Sequence, residues 1–205
     1  MFRKVGLILA GVVIIVLLFD YARRHWFGPF DADRIAVSEA RMWKAYYSGD
    51  EQSLGRQMVT LLRAQFGLTL ADSVAVGKDL ANAAMAFQAL SGNYEHVFPG
   101  LERAYTRLKK ITGGAWDPAE AAGAELSWWV ARRSAGRDSP EEVGRSIARL
   151  YAILYGKTNP DIERAGLLRA QAAQLRDRGG EKCDWAAVER LLKQSYRALA
   201  RGIKG

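Results

Sequence analysis

Residues that carry most enzyme and metal chemistry are scarce in this sequence. It has one cysteine, Cys183, and two histidines, His25 and His96. A single cysteine excludes an intrachain disulfide and any multi-cysteine metal site. Neither histidine follows a glutamate by three residues, as the Glu-x-x-His motif of di-iron bundles requires, and no cluster of zinc ligands stands in the sequence. We therefore expect no metal, no cofactor and no catalytic residue, and we place His96 on the surface at a helix start.

Two short glycine motifs lack the residues that would make them catalytic or phosphate-binding. Gly156-Lys157-Thr158 matches the end of a phosphate-binding loop, but that loop needs a glycine where this chain has Tyr151, and a strand before it. Gly144-Arg145-Ser146 lies in a helical stretch, whereas a nucleophilic serine of this type stands at a strand-to-helix turn. We expect Gly156 to end a helix, and we predict that the protein is not an enzyme.

Strand-like alternation of apolar and polar residues is not sustained anywhere after residue 30. Apolar residues recur instead at helical spacing, and a glycine follows each such stretch. Glycine tolerates the left-handed backbone conformation that ends many helices. The predicted helix ends are Gly49, Gly67, Gly92, Gly113, Gly136, Gly156, Gly179 and Gly202.

The spacing of these glycines predicts a repeated helical hairpin. Alternate glycines of the series stand 43 to 46 residues apart. Helix starts support the same division, because Asp117-Pro118, Ser139-Pro140 and Asn159-Pro160 each combine an N-cap with proline at the first helical position. The predicted hairpins span residues 31–67, 69–113, 117–156 and 159–202. Since such a hairpin cannot bury its own apolar face, the hairpins must stack on one another.

One hairpin carries a recognisable family pattern. In residues 83–108 the first helix holds small residues and an aromatic, a Gly-x-Tyr stands at the turn, and Leu101, Ala104 and Tyr105 follow on the second helix. This segment resembles a tetratricopeptide-type repeat. The resemblance covers this one unit and implies a helical hairpin there, and the glycine spacing extends it to an all-α fold of about eight helices in four αα-hairpins. We expect either a tetratricopeptide-like solenoid or a compact helical bundle over residues 31–205.

Charge is absent from residues 5–19, VGLILAGVVIIVLLF. This run is shorter than the roughly 20 residues that a membrane helix needs, but flanking residues such as Trp26 can extend it to the interface. No small-residue cleavage site follows. We predict a transmembrane signal anchor over residues 1–27 and a juxtamembrane elbow at 28–30. A cleaved signal peptide and a buried core helix are the alternatives.

Basic residues flank the apolar run on both sides, so the positive-inside rule gives no clear orientation. Two precede it, and Arg23 and Arg24 follow it. A short basic N-terminal tail usually stays inside, so we predict a non-cytoplasmic body. The alternative is a cytoplasmic body with Arg23 and Arg24 on anionic lipid. Gly6 and Ala10 form a small-xxx-small pair that permits contact with another membrane helix.

The net charge of +8 is mildly basic. It favours anionic membrane surfaces or acidic partners, and no nucleic-acid-binding module is visible, so we expect no nucleic-acid partner. Arginines concentrate around the third hairpin, where they form either a solvated face or an anionic-ligand surface. The residues of this candidate anionic surface are Arg133, Arg137, Arg145 and Arg149.

Trp128 and Trp129 follow Glu125 by about one helical turn. Adjacent helical residues diverge by about 100°, so we expect the two rings to lie on different faces. We expect both rings to pack against neighbouring helices. The alternative is that one packs between hairpins while the other reaches a groove or a membrane surface. Glu125 is either a buried carboxylate poised as a base or, as we expect, the partner of an arginine.

Our leading hypothesis is a membrane-anchored helical scaffold that binds protein partners along a groove formed by the first helix of each hairpin. The candidate groove residues are Arg41, Lys44, Tyr47, Gln88, Trp128 and Arg132. One alternative is an accessory structural subunit of a larger membrane enzyme complex. A third hypothesis is an enzyme with a helical pocket around Glu125.

Overall fold

The fold was analysed in a computed structural model, which describes residues 30–205. The predicted anchor and its residues Gly6, Ala10, Arg23, Arg24 and Trp26 lie outside the described residues, as do the first two residues of the elbow. Residues 30–205 contain eight α-helices and no strand, so the all-α prediction is confirmed. The helices are α1 (Ala32–Ser48), α2 (Glu51–Phe66), α3 (Leu70–Ala89), α4 (Phe98–Thr112), α5 (Pro118–Ala131), α6 (Pro140–Tyr155), α7 (Pro160–Gly179) and α8 (Trp185–Lys204).

The membrane-spanning capacity of these helices is limited. From residue 30 onward, no individual helix combines the length and apolar composition that a membrane crossing requires. By the same two criteria alone, α2 and α3 pass as a pair, although they meet at a bend of 120°.

Side-chain caps define the start of almost every helix. Seven of the eight N-cap residues accept a hydrogen bond from the backbone N–H three residues later. The predicted starts at Asp117, Ser139 and Asn159 are confirmed, each with proline in the first turn. The exception is α4, which follows a 3₁₀ turn at Tyr94–Val97 rather than a capping side chain.

Half of the predicted glycine helix ends are confirmed. The confirmed caps are Gly49, Gly67, Gly113 and Gly156, with φ between 63° and 72°. Gly136 also has a positive φ, of 82°, but it lies in the turn beyond α5, which ends at Ala131.

The three remaining glycine predictions are wrong. Asn93, not Gly92, takes the left-handed conformation after α3, and Gly180, not Gly179, has the positive φ after α7. Gly202 lies inside α8, where a Cβ atom would come within 2.9 Å of the Ile162 side chain. At Gly202 a glycine is required by close packing between helices and not by helix termination.

The eight helices form a closed ring. Each helix packs against the next one along the chain, and α1 also packs against α8. The arrangement is therefore a compact helical bundle rather than an open solenoid. A buried ion pair holds the junction, because Arg169 of α7 donates from Nε to Glu39 of α1 at 2.9 Å. Tyr196 of α8 donates to the other oxygen of Glu39 at 2.7 Å.

Two glycines allow α6 and α7 to approach closely. A Cβ atom at Gly166 would lie 2.3 Å from the carbonyl oxygen of Gly144 and 2.8 Å from the backbone nitrogen of Ala148. These distances are far below van der Waals contact, so only glycine fits at position 166 without a backbone shift.

The ring has two ends, which we call proximal and distal. At the proximal end, Asp31 N–H donates to Ala64 O at 3.0 Å, and Asn159 donates to Gly202 O at 2.9 Å. The chain enters the ring there, at residue 30. The distal end holds the C-terminal ends of α1, α3, α5 and α7.

Candidate functional site

A cavity of about 350 Å³ lies inside the ring, and all eight helices contribute to its wall. Apolar and aromatic side chains form most of that wall. The three tryptophans among them are Trp43, Trp128 and Trp129. The charged lining residues are Glu125, Arg132, Arg133, Arg169 and Asp177. The wall is thus mainly hydrophobic, with a few polar groups at defined positions.

A polar cluster lies at the distal end of this cavity. Arg132 forms a two-pronged ion pair with Asp177, with its Nη2 2.8 Å from Oδ1 and its Nε 3.2 Å from Oδ2. Tyr47 accepts from Arg132 at 2.8 Å and donates to Asp177 at 3.0 Å. These three residues come from the ends of α1, α5 and α7, and the Tyr47 side chain reaches solvent. We identify this cluster as the mouth of the cavity.

Glu125 lies deeper in the wall and is almost fully buried. Its carboxylate accepts from the Tyr105 hydroxyl at 2.9 Å and from the Trp129 indole N–H at 2.8 Å. The Trp128 indole N–H is also nearby, but it makes no hydrogen bond of good geometry. No lysine or arginine in residues 30–205 forms an ion pair with Glu125, so the predicted pairing with an arginine is wrong.

Burial raises the pKa of Glu125, while the charge of Arg169 and the hydrogen bond from Tyr105 act in the opposite direction. Burial also raises the pKa of Tyr105 well above its ordinary value of 10, and the neighbouring Glu125 charge adds to this. The Tyr105 hydroxyl therefore keeps its proton at neutral pH and acts as a hydrogen-bond donor.

Arg169 is the most deeply buried arginine of the cavity wall. It is neutralised by Glu39, as described above, and its guanidinium carbon lies 4.8 Å from the centre of the Trp128 ring. Burial lowers the pKa of Arg169, but Glu39, Tyr151, Tyr196 and Glu125 together outweigh this, and the net shift is upward. The guanidinium is therefore charged throughout the accessible pH range.

The two adjacent tryptophans share the cavity wall, so the prediction that they lie on different faces is wrong. Their ring centres are 6.1 Å apart, with an angle of 88° between the planes. Trp128 lies beneath Arg169 of α7, whereas Trp129 contacts Phe87 of α3 at 5.2 Å between ring centres. Because the cavity is at the ring centre, a wide face of α5 is turned inward and accommodates both rings.

The predicted groove residues separate into two groups. Those that line the cavity are Tyr47, Trp128 and Arg132. Gln88 is half-buried and donates to the backbone oxygen of Tyr46 at 3.0 Å, whereas Arg41 and Lys44 are exposed and lie outside the cavity. A groove formed by the first helix of each hairpin is therefore not present as predicted, since second helices contribute equally to the cavity wall.

Most of the predicted anionic surface is already engaged within the fold. Arg133 donates to two backbone oxygens at the end of α3, at 2.8 and 2.9 Å. Arg137 and Arg149 pair with glutamates at 2.8 and 3.9 Å. Arg145 is exposed and has no ion pair within the described chain. Little uncompensated positive charge is left on this face.

Sequence reasoning missed Glu39 and Arg169. Glu39 lies four residues after Ile35 and four residues before Trp43, so it places a charge on an otherwise apolar stripe of the helix. Arg169 does the same on α7, where Ala165 precedes it by one turn and is fully buried. A charged residue on an apolar stripe could have indicated each of them, because a buried charge needs a partner of opposite sign.

Other chemistry is sparse at the site. From residue 30 onward, no group of three histidine, cysteine or acidic side chains is arranged to hold a metal ion. His96 is exposed in the 3₁₀ turn before α4, as predicted. Comparisons with protein-family models, curated proteins and solved structures found no match for this chain.

The pH dependence of stability tests the environment of Glu125. A pKa raised by burial means that the folded state binds the proton more tightly than the unfolded state. The resulting stabilisation is present below the unfolded pKa, near 4.5, and is lost as the pH rises through the folded pKa. We expect urea unfolding to show that the wild type loses stability relative to Glu125→Gln as the pH rises from about 4 to 8.

The matched control is Glu120→Gln, on the same helix but exposed. Its stability difference from the wild type should not follow this trend. A pH-independent difference for Glu125→Gln would contradict the expected upward shift of the Glu125 pKa.

Proposed function

We propose that this protein is a binding protein that holds a small, largely apolar ligand in the cavity of its helical ring. One observation carries the proposal: a cavity of about 350 Å³ with a hydrophobic and aromatic wall and a few fixed polar groups. Small-molecule sites have this composition and occupy about 300–1,000 Å³. The volume lies near the lower end of that range, which favours a compact ligand.

The size of the cavity argues against a simple packing defect. Protein interiors contain few voids larger than a water molecule. At about 24 cal/mol per Å³, an empty apolar void of 350 Å³ would cost about 8 kcal/mol. That cost is comparable to the entire stability of a typical domain, about 5–15 kcal/mol. Water entering at the mouth reduces it, and a ligand that fills the cavity would remove it.

The direction of the mouth suggests how a ligand enters. The cluster of Tyr47, Arg132 and Asp177 is at the distal end, whereas the chain enters the ring at the proximal end. If residues 1–27 form the proposed membrane anchor, the mouth faces away from the membrane. The ligand would then enter from the aqueous side.

An enzymatic role for Glu125 has less support. General acid–base catalysis needs a group that exchanges a proton near the working pH. Tyr105, the hydroxyl that contacts Glu125, has its pKa raised well above 10 and so cannot serve as the acid at neutral pH. The upward shift of the Glu125 pKa is itself compatible with acid–base chemistry, but among the described residues no second proton-exchanging group lies beside it, so we propose a binding role for Glu125.

Protein partners are a second candidate, and the proximal end favours them. Val74 lies in the first two turns of α3 and is 49% exposed although it is apolar. Such a side chain suits a neighbour in a membrane complex, for which this chain would be a scaffold or an accessory subunit. This proposal includes the resemblance of residues 83–108 to a tetratricopeptide-type repeat. Leu101 and Tyr105, two residues of that pattern, are buried, which supports the resemblance. Purification from native membranes tests it, and a chain that always elutes alone would contradict it.

Filling the cavity should abolish ligand binding. Ala84 lines the cavity, whereas Ala86, two residues along α3, is exposed. We expect Ala84→Phe to weaken the binding of 1-octanol at least tenfold, because the new ring occupies the ligand volume. Ala86→Phe should leave the affinity unchanged.

The measurement is the change in tryptophan fluorescence of the full chain in zwitterionic nanodiscs, corrected with empty nanodiscs. Circular dichroism of both variants is the control for correct folding. Equal affinities in the two variants would remove the cavity as the binding site.

A further inference from the structure

We propose that the ligand carries a cationic group, such as an alkylammonium, and that Glu125 binds this group inside the ring. The inference rests on the proposed function, because it names the chemical class of the ligand for the same cavity. It is carried by the group of charges formed by Glu39, Arg169 and Glu125 and by the aromatic rings around the Glu125 carboxylate.

The first argument is that the other charged groups of the wall are already engaged. Arg169 is paired with Glu39, and Arg132 is paired with Asp177. Arg133 directs its guanidinium to backbone oxygens at the end of α3. Each of these groups has a partner supplied by the fold. The positive charge of Arg133 has no carboxylate beside it, but Arg133 is not among the charges that act on Glu125.

Glu125 differs from this group. Its two hydrogen bonds, at 2.9 and 2.8 Å, come from the neutral donors Tyr105 and Trp129. Within the described residues it is the acidic group of the cavity wall that has no cationic partner within 4 Å. An almost fully buried carboxylate with no counter-charge in direct contact is costly, and a bound cation would relieve that cost.

The net charge of Glu39, Arg169 and Glu125 determines whether the cavity prefers a cationic or an anionic ligand. Glu39 and Arg169 cancel, so an ionised Glu125 leaves this group of three side chains with one negative charge. A monovalent cation would bring the sum to zero, whereas an anionic ligand would add to it. The centre of the cavity therefore favours a cation over a neutral ligand, and a neutral ligand over an anion.

The aromatic surroundings fit the same ligand. Rings attract cations to their faces, at distances up to about 6 Å from the ring centre. The fold already uses this attraction at the cavity wall, where Arg169 lies 4.8 Å from the Trp128 ring centre and Arg133 lies 4.1 Å from that of Phe87. Trp129 contacts both Glu125 and Phe87, so the carboxylate and several ring systems border one space.

Three probes with the same eight-carbon tail test the inference: octyltrimethylammonium, 1-octanol and octanoate. Affinities are measured on the full chain in zwitterionic nanodiscs, by tryptophan fluorescence and calorimetry, with empty nanodiscs subtracted. We expect octyltrimethylammonium to bind at least tenfold more tightly than octanol, and octanoate to bind most weakly. In Glu125→Gln the advantage of the ammonium should disappear, while octanol affinity stays within about twofold.

The Glu125→Gln variant keeps the shape of the side chain and its ability to hydrogen-bond to Tyr105 and Trp129. Glu120→Gln, which removes an exposed carboxylate from the same helix, should keep the ammonium preference. Octanol binding without an ammonium preference, or a preference that survives Glu125→Gln, would overturn this inference and leave the proposed function standing. Failure of all three probes to bind would overturn both.

Discussion

Arg169→Ala is expected to lower the free energy of unfolding by about 3–5 kcal/mol, the largest stability effect we predict. The substitution leaves Glu39 charged and fully buried, with only the Tyr196 hydroxyl to satisfy it. It also breaks the ion pair that connects α1 to α7, where the ring closes. Urea unfolding of the full chain in a mild detergent, followed by far-ultraviolet circular dichroism, measures the loss.

Arg197→Ala is the matched control for this experiment. Arg197 pairs with Asp33 at 2.8 Å and so also bridges the ring closure, between α8 and α1. The side chains of Arg197 and Asp33 are both exposed, however. Exposed ion pairs contribute little to stability, because water solvates the separated charges well. We expect almost no loss of stability in this variant. Similar losses in Arg169→Ala and Arg197→Ala would show that burial of the Glu39–Arg169 pair is not what stabilises the closure.

Gly166→Ala is expected to destabilise the protein by about 1–3 kcal/mol, towards the upper end of that range. The added methyl group would meet the carbonyl oxygen of Gly144 and the backbone nitrogen of Ala148. Neither atom can move without shifting α6, so the crossing of α6 and α7 must widen. Thermal unfolding of the full chain measures the effect as a lowered midpoint.

The same substitution elsewhere should have the opposite sign. Gly55 lies within α2, and no atom would stand within 4 Å of its added Cβ. Alanine favours the helix over glycine by about 0.5–1 kcal/mol, so Gly55→Ala should raise the midpoint. If Gly166→Ala also raised the midpoint, the close approach of α6 and α7 would be disproved.

Predictions from sequence succeeded where the determining interactions are local. An N-cap side chain binds a backbone N–H only three residues away, so Asp117, Ser139 and Asn159 marked helix starts reliably. Glycine was less reliable, because it serves more than one purpose. Gly156 ends a helix, whereas Gly202 makes room for Ile162. A single sequence contains no local difference between these two uses.

The cavity could not be predicted, because its wall combines all eight helices. Glu125 was singled out from its position before two tryptophans, but its partner was predicted to be an arginine. Arg169 is the arginine whose charge acts on Glu125, but its ion pair is with Glu39. Which carboxylate an arginine meets depends on which helices are neighbours, and that is a property of the whole ring.

The amino-acid sequence by itself determined the helical content and most helix boundaries, because caps and apolar spacing act over a few residues. Only the tertiary structure decided that the hairpins close into a ring and enclose a cavity. Glu39 and Arg169 are 130 residues apart, and they meet only because closure of the ring brings the last two helices of the chain beside α1. Contacts over that distance depend on the accumulated packing geometry of every helix between them, to which no local pattern in the sequence corresponds.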